Sequence, residues 1–228
     1  MRRTAESQTG ITITLQRPRW RNMLTYAGTI AELCYEDLEF AYLTDSRHFH
    51  FCSYYLQHRL SPRVPELFRR LKSAGLTISV DTNDDPEDTW QGLDEVPPYL
   101  DVFLPNAREA KKITRSDDLE TAVARLAERV PLVVVKQGDA RALAQQGSQR
   151  YSSPAVQVTP VDAVGAGDSF NAGFLLQYVR GADIPSCLRM GDLASALSTT
   201  RPGGVGAFRD AKHRASFLQA HGVLAAQK

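Results

Sequence analysis

Twice along this chain a segment with helical period runs directly into a short, apolar, β-rich run. VPELFRRLKSAG (64–75) brings Leu67, Phe68 and Leu71 onto one helical face, and Gly75 suits a C-terminal cap; LTISVD (76–81) follows as a buried strand. DDLETAVARLAERV repeats the pattern with Leu119, Val123 and Leu126 on one face and Ser116 as the N-cap residue. It leads into LVVVK (132–136), a continuous run of the kind found in parallel strands covered on both sides. Helix and strand alternating in this order predict a three-layer α/β/α fold with a mainly parallel central sheet. No internal repeat, low-complexity tract or linker interrupts it, so residues 1–228 read as one domain.

The remaining segments fit around that core. TGITITLQ (9–16) alternates like a strand, and RPRWRNMLTYAG is expected to pair with it after a turn at Pro18. FAYLT and HFHFCSY read as short strands, or as a strand and its approach, and DVFLPN (101–106) as a strand ending on a polar residue. A β-rich stretch, RALAQQGSQRYSSPAVQVTP, precedes helices near 169–180 and 186–199. Charge is balanced, 27 Lys plus Arg against 26 Asp plus Glu, so no broad basic field argues for nucleic acid. Cys34, Cys52 and Cys187 are far apart and read as reduced thiols rather than a disulfide framework or zinc site. No apolar run is long enough to span a bilayer, and ITITLQRPRW is too short and polar for a signal segment, so the cytoplasm is the expected location.

In open α/β sheets ligands gather beyond the carboxyl ends of the strands. Four such ends carry polar residues here: Asp81 and Asn83, Asn106 and Glu109, Lys136 and Gly138, and the loop 162–168. The last, VDAVGAGDSFNAG (161–173), is the richest. Gly165 and Gly167 let backbone approach an anion without a Cβ in the way, and Phe170, Gly173, Phe174 and Gln177 mark a helix starting near Ser169. Amides of residues 165–168 can face a phosphoryl group at that helix start, with Asp168 able to take a proton from an attacking hydroxyl. The plainer reading is that Asp168 only caps the helix.

The longer pattern is more specific. VDAVGAGDSFNAGF resembles the C-terminal signature of the ribokinase-like (PfkB) sugar kinases, and DTNDDPEDTW (81–90), LPNAREAKKIT (104–114), VVVKQGDARAL (133–143) and TTRPGGVGA (199–207) follow the family's order. The resemblance implies ATP-dependent phosphorylation of a sugar or nucleoside hydroxyl with Mg²⁺. It gives Asp168 the role of catalytic base and Gly165, Ala166 and Gly167 that of the anion hole. Asn106 and Glu109 match a motif that organises Mg²⁺ and the nucleotide phosphates; as a plainer alternative they form a helix cap with an acidic first turn. Lys136 and Gly138 match a segment meeting ATP phosphates and ribose, although Lys136 also fits a surface lysine at a strand end. Asn83 matches an element near the phosphates, and Gly203 belongs to the adenine-side loop. In members activated by K⁺, the corresponding residues are Asp162, Val164, Ser198, Arg201, Gly203 and Ala207, acting mostly through carbonyl oxygens; the alternative is a glycine-rich loop that only closes the fold. His48 and His50 lack the partners for a metal set and read as pocket-wall or core residues, and Tyr54 and Tyr55 as packing residues.

Members of this family begin with further strands and a glycine-rich sugar-binding element before the segment that here starts at Thr9. The expectation is an N-terminally truncated ribokinase-like domain, with 9–30 a remnant of the lid or substrate-side strands. Apolar surface left open in this way favours a homo-oligomer, most simply a dimer. The expected ligands are ATP, Mg²⁺, a small sugar or sugar acid and, if the cation reading of the 199–207 loop holds, K⁺, with no nucleic acid and no membrane. Two rival readings stay open: a non-catalytic nucleotide-binding remnant or regulator, and a nucleoside kinase of the same superfamily.

Overall fold

A computed structural model describes residues 7–17 and 20–223. It divides into two compact units, Met1–Phe103 and Leu104–Lys228. In the first unit, β1 (Ile11–Arg17) and β2 (Trp20–Tyr26) form an antiparallel ribbon. The pairing expected for these segments is therefore present, while Pro18 lies outside the described residues. Register puts Ile11 opposite Tyr26 and Ile13 opposite Leu24. With Leu15 these make one apolar face, and each of the five is about half exposed, from 49% to 59%. Thr12 and Thr25 pair on the other face, their hydroxyls 3.0 Å apart.

After the ribbon come α1 (Phe40–Thr44), β3 (His48–Cys52), α2 (Val64–Ser73), β4 (Thr77–Asp81) and β5 (Val102–Phe103). FAYLT, read as a short strand or as the approach to one, is thus a short helix leading into β3. It has no strand partner, Leu43 N–H closes onto Glu39 C=O at 3.0 Å, and the Thr44 hydroxyl donates to Phe40 C=O at 2.9 Å. The Arg70 guanidinium also sits 3.4 Å above the Phe40 ring centre, which fixes the segment onto α2. Local hydrogen bonds and that stacking outweigh the β-propensity of the aromatic residues.

β3, β4 and β5 are parallel, with Phe49 opposite Ile78 and Phe51 opposite Val80. The period-2 alternation of β3 sends Phe49 and Phe51 to one face, where both rings meet Phe68 of α2 edge-on at 6.2 and 5.8 Å. Leu67, Phe68 and Leu71 are fully buried along α2, as their spacing predicted, and Val64 joins them. His48 and His50 point the other way onto Ser79, at 2.8 Å each. Burial, then the neighbouring His50, pulls the His48 pKa down to about 4. Both are half-buried and hydrogen-bonded between β3 and β4.

The second unit holds α3 (Ala107–Thr114), α4 (Leu119–Ala127), β6 (Leu132–Lys136), β7 (Arg141–Gln146), β8 (Gln149–Pro154), α5 (Ala166–Tyr178), α6 (Ile184–Thr199), α7 (Gly206–Arg209) and α8 (Ala211–Ala220). β6, β7 and β8 form an antiparallel meander. Val133, Val134 and Val135 are fully buried, as the β-branched run required. The cap of α4 is Asp118, not Ser116: its carboxylate accepts from Thr121 N–H at 2.8 Å. Asp118 immediately precedes the first helical residue, whereas the Ser116 hydroxyl donates to Asp118 C=O at 3.1 Å. Helix α5 packs against α6, and α6 against β7 and β8. No helix among the described residues is long and apolar enough to cross a membrane.

Candidate active site at the start of helix α5

Gly165 is the N-cap of α5 and has φ 72°, a conformation that side chains with a Cβ rarely adopt. The helix therefore begins at Ala166, three residues before the start expected at Ser169. That shift places Gly167 and Asp168 within the first turn, where amides have no partner inside the helix. Among the described residues the N–H groups of Gly165, Gly167 and Asp168 reach no backbone acceptor, while Ala166 N–H turns back to Ala163 C=O at 3.3 Å. Three of the four predicted amides thus remain open to an anion, with the helix dipole behind them. Asp168 is exposed, and the N-cap of α5 is Gly165, which has no side chain to cap with. Its Oδ2 lies 4.0 Å from where a Cβ on Gly165 would stand, so the carboxylate leans over the glycine turn.

A second loop braces the first. The Asp162 carboxylate accepts from Val164 N–H and from Gly203 N–H, both at 2.9 Å. Val161 and Asp162 N–H both donate to Thr199 C=O, at 2.7 and 3.2 Å. Gly204 has φ 66°, and a Cβ there would stand 2.9 Å from Val164 C=O. Ser198 and Ala207 are buried, Ser198 donating to Ser195 C=O at 2.7 Å, whereas Arg201 is exposed and pairs with Asp210 at 3.4 Å. Of the residues matched to a cation site, Asp162, Val164 and Gly203 are therefore hydrogen-bonded together, with the Asp162 carboxylate as the shared acceptor.

Asn106 and Glu109 form a reciprocal cap on α3. Asn106 Oδ1 accepts from Glu109 N–H at 2.9 Å, Glu109 Oε2 accepts from Asn106 N–H at 2.8 Å, and Asn106 Nδ2 donates to Glu109 Oε1 at 2.5 Å. The plainer helix-cap reading is thus present in the structure. The same cap holds the Glu109 carboxylate at a fixed orientation, and carboxylate oxygen is the kind of ligand that a hydrated Mg²⁺ takes. Asn106 also bridges Lys136 in parallel register, and Lys136 N–H donates to Pro105 C=O at 3.1 Å. From the end of β6 the Lys136 ammonium reaches α5: it donates to Asn171 Oδ1 at 3.2 Å and lies 3.8 Å from a Cβ position on Gly167. Gly138, φ 63°, turns the chain from β6 into β7.

The second unit therefore brings the glycine turn, Asp168, Lys136 and the Asn106–Glu109 cap into one chain of contacts. Asn83 belongs to the first unit, where its Oδ1 accepts from Ser53 N–H at 2.8 Å and ties the ends of β3 and β4. Close by, Asp85 accepts from Glu87, Thr89 and Trp90 amides and the Thr89 hydroxyl. Burial alone would raise its pKa, but those donors hold its carboxyl below the usual range. A cleft of about 410 Å³ opens in the first unit between Tyr54, His58, Asp85, Thr89 and Glu95, and none of the predicted site residues lines it. Two residues of the second unit went unread in the sequence, Asn171 and Gly204. Asn171 carried a signal: it is an uncharged polar residue in an otherwise small or apolar run, one turn after Asp168.

With this geometry the chain matches the profile of the pfkB family carbohydrate kinases over residues 1–210. It belongs to the pfkB family. Among curated proteins, this pfkB chain is 38% identical over 96 residues to a sugar kinase of Archaeoglobus fulgidus, covering 42% of this chain and 38% of that one. It is 35% identical over 145 residues to a cytidine kinase of Thermococcus kodakarensis, covering 58% and 51%. The chain thus spans about half, or less, of the length of these relatives. Among solved structures, a putative ribokinase II from E. coli in complex with ATP and Mg²⁺ superposes with TM-score 0.84 at 23% identity, covering 95% of this chain and 72% of that one. The three-layer α/β ribokinase-like fold read from the sequence is the fold of this pfkB chain.

Proposed function

We propose that this pfkB chain carries the nucleotide-handling part of an ATP-dependent kinase that moves a phosphoryl group to a hydroxyl of a sugar or sugar-like acceptor. The observation that carries this reading is the start of α5: a left-handed glycine cap, open amides, an exposed carboxylate leaning over them and an ammonium at the same turn. Phosphoryl transfer asks a protein mainly for positioning and charge stabilisation, with a base in reach of the attacking hydroxyl. In this assignment the amides of Gly165, Gly167 and Asp168 hold the migrating group's oxygens. The Asp168 carboxylate accepts the acceptor's proton, and Lys136 offsets negative charge beside Gly167. Glu109, oriented by Asn106, would hold hydrated Mg²⁺, which supplies charge neutralisation between phosphates. Gly138 is assigned to the nucleotide phosphates and ribose, and Gly203 to the adenine side. The loop containing Asp162, Val164, Ser198, Arg201, Gly203 and Ala207 is assigned to K⁺.

The relatives' names support a small hydroxyl-bearing acceptor, sugar or nucleoside, and a simple sugar is the acceptor proposed. The test is Asp168→Asn. Turnover with a panel of sugars and nucleosides is expected to be lost, while MgATP affinity by titration stays close to that of the unsubstituted chain. Turnover that survives removes Asp168 as the base; MgATP binding with no turnover on any acceptor in the unsubstituted chain favours a nucleotide-binding remnant.

Self-association is part of the same proposal. The apolar face of the β1–β2 ribbon draws on both strands, so it can meet a second copy about a two-fold axis. Five half-exposed side chains from each copy would bury about 1,000 Å² in total, the lower bound for a specific interface.

A further inference from the structure

Asn171 is 2% exposed, in the interior of a helix whose neighbouring residues Phe170, Phe174 and Leu175 are apolar. Burying a polar group there costs stability unless it is hydrogen-bonded. Its Oδ1 accepts from the Lys136 ammonium at 3.2 Å. Lys136 stands at the last position of β6, and its four-carbon stem would let the ammonium range widely if nothing held it. Instead it is drawn to the first turn of α5, where it lies 3.8 Å from a Cβ position on Gly167.

We infer that Asn171 is a positioning residue: it fixes the Lys136 ammonium at the open amides of the α5 first turn, so that the lysine serves the migrating phosphoryl group rather than the ribose. This rests on the nucleotide reading above and sharpens it. Asn171 follows Asp168 by three residues, one helical turn, so the two project from the same side of α5. Asp168 and the lysine's anchor are thereby set by a single rigid element. A neutral acceptor suits this task. It orients the ammonium without neutralising it, whereas a carboxylate at the same place would cancel the charge that the phosphate needs.

A double-substitution cycle on the 228-residue chain tests the role, reading the MgATP dissociation constant by calorimetric titration and folding by thermal melting without nucleotide. Lys136→Met is expected to raise the dissociation constant about tenfold, the loss of one charge-assisted hydrogen bond to phosphate. Asn171→Ala is expected to raise it several-fold when Lys136 is present and to have no further effect in the Lys136→Met background. Equal effects of Asn171→Ala in both backgrounds would overturn the positioning role and leave the nucleotide reading standing. Should the alanine variant not fold, Asn171→Asp, of the same shape, replaces it: the carboxylate ties up the ammonium and MgATP must bind more weakly. Unchanged affinity in that variant overturns the role. If the unsubstituted chain binds no MgATP, the nucleotide reading falls and this role falls with it.

Discussion

Replacing Asp192 by Asn should make this chain more stable at neutral pH, and the gain should disappear in acid. Asp192 lies on α6 with 7% of its surface exposed, and its Oδ2 has no hydrogen-bond partner among the described residues. Burial pushes its pKa up to about 6, against the opposing pull of the Ser153 side chain and Arg189. The unfolded value is 3.8, so the folded state binds the proton more tightly by about two pH units, or about 3 kcal/mol at 1.36 kcal/mol per unit. The sign follows from linkage. Below about pH 4 both states hold the proton and nothing is lost. Between about 4 and 6 the unfolded chain releases it while the folded chain keeps it, so stability falls as pH rises. Above about 6 the full penalty persists. Asn keeps the shape and removes the charge, but leaves an amide N–H to be satisfied at about 1 kcal/mol. The net gain at pH 7.5 is then about 2 kcal/mol, a rise of about 5 °C in melting temperature for a chain of this size. At pH 4 the penalty shrinks to about 0.5 kcal/mol, so the variant should melt no higher than the parent. Circular-dichroism melts of both proteins at the two pH values decide it. A melting difference that is the same at pH 4 and 7.5, or a variant that melts lower at pH 7.5, would refute the reasoning.

Gly204→Ala should displace the loop that braces Asp162, because a Cβ would stand 2.9 Å from Val164 C=O in a backbone of φ 66°. The expected cost is about 1–3 kcal/mol with weaker MgATP binding, seen by melting and titration; an unchanged melting temperature would show that the loop yields freely. Ile13→Lys places a charge on the exposed face of β1 opposite Leu24. It should convert self-associated chain to monomer in sedimentation, and a sedimentation coefficient equal to that of the parent would place any self-contact elsewhere.

What the sequence determined by itself was whatever a local period or a contiguous motif encodes. Leu67, Phe68 and Leu71 are buried along α2 because their spacing gives one face, and Val133–Val135 are buried because a β-branched run has no polar face to offer solvent. The glycine turn before α5 was legible as a place where backbone can approach an anion without a Cβ, while the positive φ of Gly165 and the helix start at Ala166 came from the structure. Tertiary structure decided the rest, because a side chain's partner is set by what folding brings beside it. FAYLT had strand propensity but, among the described residues, no strand to pair with, and it forms a short helix under Arg70. Lys136 and Asn171 are 35 residues apart and meet only once the end of β6 lies against the first turns of α5. Asp162 and Gly203, 41 residues apart, likewise join two loops that no sequence period relates. Asn106 and Glu109 show the limit of motif reading, since the same spacing serves a helix cap and an oriented carboxylate at once. Periodicity fixes which face of an element turns inward; long-range packing alone determines which charge stands beside which amide, and the chemistry depends on that.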